Sequence, residues 1–481
     1  MLFNSLSFAI FFPIVFIIYW LLGKKSYKWQ NIFLMIASYY FYSCWDWRFL
    51  FLLIFSTALD YFSGIQIYQE KNQTKRKIWL ILSVGINLGF LGFFKYYNFF
   101  IDSFAQLLES VGFQPHFATL SIILPVGISF YTFHGLSYVF DIYNCKIEPT
   151  RNAVDYTLFV SFFPLLVAGP IERATHLLPQ IKRERVFTYE RAKDGMRQVL
   201  WGLFKKMIIA DNCAIYANQI FANYENEPAS NLALGAVYFA FQIYGDFSGY
   251  SDIALGTARL LGFDLLKNFN YPYFSRDIAE FWRRWHISLS SWFKDYLYIP
   301  LGGSRGGNWM RIRNTFIIFI VSGFWHGANW TFIIWGALNA LFILPSIIMK
   351  TNRNNLDVVA QGRFLPTFKE MIQMTITFTL ATFAWIFFRA ETVTDAFGYT
   401  IGLFDRSLLS FPTLNKAAMA TLILAVFMLF IEWLGRENNY GIEKLFTNSS
   451  RVIRWSFYAF IILLLGLFMQ TNESPFIYFQ F

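Results

Sequence analysis

His326 carries the most chemistry in this sequence. It follows the run from Thr315 to Phe324, which is apolar except for Ser322 and Gly323, and a second apolar run begins just after it. An ionisable side chain at membrane depth costs about 2.5–3.5 kcal/mol on insertion scales, so it points to function by default. Imidazole is uncharged near neutral pH yet still takes a proton, which suits a general base in a low-dielectric cavity. The competing reading is a histidine bonded to a neighbouring helix as structural glue. Gly323 and Gly327 flank it at helical spacing and leave room for a helix partner or a substrate. His286 lies in the segment 281–296, which has a helical period. Phe281, Trp285, Trp292 and Tyr296 fall on one stripe, and Trp282, His286, Leu289 and Phe293 on the next. With Arg283, Arg284 and Lys294 around them, they predict an interfacial amphipathic helix. His286 alone then reads as an interface histidine bonded to a carbonyl.

Other groups are weaker signals. Pro300 to Gly307 is a glycine-rich loop with Arg305, able to wrap phosphate oxygens through backbone N–H groups, but it lacks the Gly-Lys-Ser/Thr ending of a Walker A loop. Asp246 and Asp252 end an apolar span, where they line a polar cavity or pair with the arginines after residue 275. Val167 to Arg173 is a helix-breaking turn with an acid and a base beside it. No Gly-x-Ser-x-Gly elbow is present. Cys44, Cys145 and Cys213, and the five histidines, show no metal-ligand or disulfide spacing, so no metal is expected.

The elements that must position these residues are apolar helices. Of 481 residues, 56% are hydrophobic and only 15% charged, against about 25% charged in soluble domains. That excludes a water-soluble enzyme. With 59 Phe, 27 Tyr and 16 Trp, disorder is excluded too. The net charge of +10 reads as a topology signal rather than a nucleic-acid footprint. The stretch from Leu2 to Leu22 is about the ~20 residues a spanning helix needs, and it reads as a retained first helix instead of a cleaved signal. Further spans are expected near 30–45, 49–68, 78–98, 119–140, 198–221, 230–249, 314–325, 330–349, 371–388, 416–434 and 453–470. Segment 154–170 is broken or re-entrant because of Pro164, Gly169 and Pro170. The expectation is one membrane-embedded domain over 1–481. Basic links, including 172–197 and 250–313, lie in the cytoplasm by the positive-inside rule, and both termini lie outside. The spans 314–325 and 330–349 then form an out-and-back pair whose turn holds His326.

Together these segments resemble the membrane-bound O-acyltransferase family, in the bacterial branch typified by the alginate O-acetyltransferase membrane subunit. The motifs are AGPIERATHLLPQ (168–180), YGDFSGYSDIALG (244–256), FWRRWHISLSSWFKDYLYIPLGG (281–303), SGFWHGANWTFIIWG (322–336) and WIFFRA (385–390). The resemblance implies an all-α polytopic fold of about 11–13 transmembrane or re-entrant helices forming a ring around a central tunnel. It makes His326 the catalytic histidine and His286 the second characteristic one. It implies acyl transfer from a thioester to a hydroxyl, with no bound cofactor. For this branch the implied donor is cytoplasmic acetyl-CoA, and the acceptor is an extracytoplasmic polysaccharide (alginate, another exopolysaccharide or peptidoglycan). An SGNH-type acetyltransferase partner outside the bacterial cytoplasmic membrane is implied as well. Arg305, Arg311 and Arg313 suit the polyanionic CoA, and Trp325, Asn329 or Trp330 is placed to support the tunnel or the oxyanion. Tyr478, in the aromatic tail, is either an acyl relay or an interface anchor. Two alternatives stay open: D-alanyl transfer to teichoic acid from a carrier protein, and a non-catalytic transporter or scaffold.

Overall fold

The computed structural model of the chain describes residues 1–113, 120–167, 169–470 and 476–477. Tyr478 lies outside them. Among the described residues all regular structure is helical. Seven helical runs are long and apolar enough to cross a membrane: Leu6–Gly23, Arg48–Gln69, Gln73–Ser110, Trp330–Ile348, Phe368–Arg389, Lys416–Leu434 and Arg451–Phe468. The other five expected spans are helical over most of their length but carry polar groups turned inward. Lipid tails are as apolar as leucine, so helices here associate through close backbone packing and interior polar bonds instead of hydrophobic burial.

The chain divides into two compact units. The first comprises Met1–Thr188 with Leu260–Leu265. Its helices are α1 (Leu6–Gly23), α2 (Tyr27–Asp46), α3 (Arg48–Gln69), α4 (Gln73–Leu91), α5 (Tyr97–Ser110), α6 (Ile128–Tyr143), α7 (Ala153–Ser161), α8 (Phe163–Leu166) and α9 (Ala174–Ile181). Ser5 starts α1 by accepting from the Phe8 N–H through its hydroxyl. Helix α6 begins only at Ile128, because Gly127 takes a left-handed φ of +75° where its Cα lies against the Leu166 carbonyl. The expected span from 119 is therefore shorter. Segment 154–170 is broken, as Pro164 predicts, between α7 and the single turn α8. Inside, Asp60 accepts from Ser83 at 2.6 Å and Asn87 at 2.8 Å. The Arg185 guanidinium donates to Ile181 O, Gln30 Oε1 and Asn31 Oδ1, and lies 4.9 Å over the Phe263 ring. Glu172, in the first family-like motif, takes a hydrogen bond from His176 at 2.7 Å, and its own N–H donates to His134. That turn is architectural.

The second unit comprises Tyr189–Arg259 and Leu266–Phe481. It contains α10 (Tyr189–Leu203), α11 (Asp211–Ala222), α12 (Ala229–Leu260), α13 (Ile278–Arg284), α14 (Ile287–Phe293), α15 (Gly307–His326), α16 (Trp330–Ile348), α17 (Phe368–Arg389), α18 (Val393–Gly402), α19 (Lys416–Leu434) and α20 (Arg451–Phe468). A π-helical stretch, Phe204–Ala210, joins α10 to α11 without a break. Helix α12 runs 32 residues, past the expected end at 249, so the first part of the expected 250–313 link is helix interior. It crosses α10 backbone to backbone: a Cβ at Gly249 would overlap the Gly202 carbonyl, and one at Gly256 the Gly195 carbonyl.

That approach, with the wider π turn, buries two consecutive lysines. Lys206 reaches Asp211 at 2.8 Å and Asp246 at 2.7 Å. Lys205 reaches Asp252 at 2.7 Å and lies 4.0 Å from Glu432. The two aspartates thus pair with lysines of α10–α11, and the expected pairing with arginines beyond 275 is not the one formed. Arg276 and Arg284 bond Glu280 instead. The difference arises because partners across crossing helices are set by backbone approach, which glycines at sequence-distant positions permit.

Candidate active site

His326 is the last residue of α15 and is buried. Its helix and α16 form the tight hairpin the sequence suggested, turning through 327–329. Contact is closest at two glycines. A Cβ at Gly323 would overlap the Phe332 carbonyl oxygen, and one at Gly336 the Phe319 carbonyl oxygen. A Cβ at Gly327 would strike the Phe332 ring. The small residues around His326 therefore admit a helix partner, not a substrate. Gly323→Ala should force the hairpin apart, moving His326 and lowering transfer at least about tenfold, since a misplacement of ~1 Å costs about 10²-fold. Gly85→Ala, where an added methyl meets nothing within 4 Å, should be silent in the same assay of product ester per molecule of protein.

Four aromatic rings enclose the imidazole or extend its wall. Trp325 lies 4.9 Å from it, Trp335 5.1 Å and Phe388 5.3 Å, centroid to centroid. Trp385 stacks on Trp335 at 5.6 Å. Trp385 and Phe388 stand three apart on one face of α17, as i, i+3 neighbours do. They belong to the WIFFRA motif, and their shared face was the available signal for a role beside His326. Trp335 lies in the SGFWHGANWTFIIWG motif, which by itself did not single it out.

The other histidine comes to the same place. His286 sits 6.1 Å from the Trp325 ring and 4.6 Å from Phe247, in T-shaped contacts, and is buried. The Trp325 indole thus makes ring contact with both imidazoles, which are 40 residues apart in sequence. The path of the chain to His286 differs from expectation. Residues 281–296 do not form one amphipathic helix. Helix α13 ends at Arg284, Trp285 is extended, and His286 adopts φ +44°, ψ +54° before α14 begins. Phe281 and Trp285 stack at 5.5 Å, and Trp285 packs against Trp385 at 4.9 Å, so their stripe faces the interior. The break is held from a distance. The Ile287 N–H donates to the Asn268 carbonyl at 2.9 Å, and the Ser288 N–H and hydroxyl donate to Asn268 Oδ1 at 3.3 and 2.9 Å. Helical periodicity cannot report a kink that such a long-range clamp imposes.

The remaining candidates are dispersed. Asn329 is occupied as the cap of α16: its Oδ1 accepts from the Thr331 N–H at 3.0 Å and its Nδ2 donates to the Glu391 carbonyl at 2.7 Å. Trp330 points outward, more than half exposed. Of the three, Trp325 is the one with a ring contact to His326. Arg305 is exposed in the glycine-rich loop. Arg311 and Arg313 turn back on that loop, donating to the Ser304 and Leu301 carbonyls, while Asn314 donates to Gly303 O. The loop is thereby fastened to the start of α15. Among the described residues no group of three His, Cys, Asp or Glu side chains converges as metal ligands would.

Comparison with known proteins gives the family. A model of the membrane-bound O-acyltransferase family matches residues 149–369, which include both histidines. The probable alginate O-acetylase AlgI of Pseudomonas aeruginosa is 40% identical over 436 residues, covering 89% of this chain and 81% of the relative. The chain belongs to the membrane-bound O-acyltransferase family. A peptidoglycan O-acetyltransferase of Helicobacter pylori is 36% identical over 87% of the chain and 82% of its own length. A teichoic acid D-alanyltransferase of Bacillus subtilis is 28% identical over 58% of the chain and 72% of its own length. This membrane-bound O-acyltransferase is a multi-pass membrane enzyme, and its all-helical architecture with seven membrane-length apolar runs agrees with that membership.

Proposed function

We propose that this enzyme takes acetyl from cytoplasmic acetyl-CoA and passes it outward for O-acetylation of an extracytoplasmic polysaccharide, with His326 as general base. The observation that carries the reading is the buried His326, walled by Trp325, Trp335 and Phe388 at the end of a membrane-length hairpin, in a chain similar to O-acetylases over most of its length. In the step proposed, the acceptor oxygen attacks the thioester carbonyl carbon while His326 takes the hydroxyl proton. The C–O bond forms, the C–S bond breaks, and the thiolate leaves and is reprotonated. Thiolate is a good leaving group, so no covalent link to this chain is needed. The aromatic wall keeps water from the base, and a dry site strengthens each polar interaction within it.

Arg305 in the glycine-rich loop, with Arg311 and Arg313 in the first turns of α15 that bond back to it, suit the phosphates of CoA. The basic links favour placing that loop on the cytoplasmic side. The acetyl group then leaves on the outer side, to the polymer itself or to an SGNH-type acetyltransferase partner. The acceptor is alginate, another exopolysaccharide or peptidoglycan, alginate and peptidoglycan being the polymers in the names of two of the relatives above. Similarity to the D-alanyl-transferring relative is weaker and spans less of the chain, which favours acetyl over D-alanyl.

Deleting the gene tests this. The acetyl ester of one surface polymer should fall to background and return with the wild-type gene, and the polymer that responds names the acceptor. Unchanged acetyl ester on every polymer, with loss of D-alanyl ester from teichoic acid, would replace the reading with its alternative.

A further inference from the structure

Asn268 is a residue to which no motif drew attention, yet it touches the backbone or side chain of His286, Ile287 and Ser288. His286 has a left-handed backbone, which a branched or bulky residue keeps only when its surroundings over-determine it. Besides the Phe247 and Trp325 rings, one asparagine supplies hydrogen bonds to this turn. Its backbone carbonyl takes the Ile287 N–H, and its Oδ1 takes the Ser288 N–H at 3.3 Å and the Ser288 hydroxyl at 2.9 Å. A backbone N–H only donates, so the amide atom facing it is oxygen, and the usual ambiguity between amide oxygen and nitrogen is removed. On its other end Asn268 Nδ2 reaches Ser251 at 3.4 Å. That end borders a polar cavity of about 20 Å³, lined also by Lys205, Asp252, Lys267 and Glu432.

The same Oδ1 lies 3.0 Å from His286 Nδ1. An oxygen that only accepts requires a proton on Nδ1. Burial favours the uncharged ring, and an uncharged imidazole has a single N–H, so the lone pair is then on Nε2. We infer that Asn268 is a positioning residue that holds His286 as the Nδ1–H tautomer, so that His286 meets the substrate as a hydrogen-bond acceptor through Nε2. The consequence for mechanism is a division of labour. A neutral His286 in this tautomer commits its one N–H to Asn268 and has none at Nε2 for the thioester oxygen, so polarising the carbonyl falls to other donors. His286 serves the side of the reaction that brings a donor hydrogen, the incoming hydroxyl or an amide N–H of the donor's pantetheine arm. This rests on the reading that His286 faces the substrate.

The test is nitrogen-15 solid-state NMR on the full-length protein in lipid nanodiscs, labelled at histidine, with the His286 signal identified by its loss in His286→Gln. The wild type should show Nδ1 protonated and Nε2 unprotonated. Asn268→Asp keeps an acceptor at the same place and should keep both the tautomer and most of the transfer. Asn268→Leu should bring up the Nε2–H form and lower kcat about 10- to 100-fold, as removal of a group orienting a histidine from behind commonly does. KM for the acyl donor should stay within about twofold, which a general loss of structure would not respect. Protonation at Nε2 in the wild type, or an unchanged tautomer in Asn268→Leu, overturns the assignment to Asn268. Full transfer by His286→Gln, with the wild-type tautomer as expected, instead overturns the placement of His286 against substrate.

Discussion

His326→Ala should accumulate in the membrane at wild-type abundance and lose acyl transfer by roughly 10²–10⁴-fold, the range that a positioned general base contributes. The fold should survive because His326 is the final residue of α15, where alanine propagates a helix at least as well. The hairpin below it is held by the Gly323 and Gly336 backbone contacts, which the substitution leaves intact. His326→Gln is the sharper variant. Its amide fills part of the space between Trp325, Trp335 and Phe388 and hydrogen-bonds, but it does not accept a proton at neutral pH. Both variants should therefore fail alike. The measurement is acetyl ester formed in a deletion strain carrying each variant, normalised to membrane protein by immunoblot. If His326→Gln retains more than about a tenth of wild-type transfer, the imidazole is packing material and another group is the base.

A second large effect is expected far from the histidines. Lys206→Met should lower stability by about 3–5 kcal/mol, because removing one member of a buried ion cluster strands its partners in a low-dielectric interior. Lys206 is the cation between two buried aspartates, Asp211 at 2.8 Å and Asp246 at 2.7 Å. Asp246 also accepts from the Ile477 N–H at 2.7 Å, so the same loss should loosen the described end of the tail. The sign is checked by the triple variant Lys206→Met, Asp211→Asn, Asp246→Asn, which removes all three charges together and should recover a substantial part of the loss. Thermal unfolding of the purified protein in detergent reads both. Equal melting temperatures for Lys206→Met and the wild type would mean that water reaches the cluster.

Both readings began as sequence features, but they were legible to different degrees. His326 stood out because an ionisable side chain between two apolar runs is an anomaly in one dimension, visible without any partner. The hairpin was legible for the same reason: α15 and α16 are neighbours in sequence, and the turn of 327–329 is too short for any other pairing. Asp246 and Asp252 were visible as acids at the end of an apolar span, but their cations were not identifiable. The choice lay among some forty lysines and arginines, and the chosen two sit in a π-helical stretch that has no sequence signature. Segment 281–296 misled for the opposite reason. Its period is helical, and hydrogen bonds that hold the break at His286 go to Asn268, 18 residues earlier.

Composition and local order by themselves determined that this is a helical membrane protein, where most of its helices run, and that His326 is the group to test. Those properties follow from side-chain solubility and from interactions a few residues apart, which a linear string records completely. The tertiary structure alone decided that His286 and His326 share the Trp325 ring, that Trp335, Trp385 and Phe388 close the wall, and which lysine neutralises which aspartate. Each of these depends on two segments meeting side to side. Where helices meet depends on the space that glycines such as Gly202, Gly249 and Gly323 leave for a facing backbone, and that space exists only once both helices are in place.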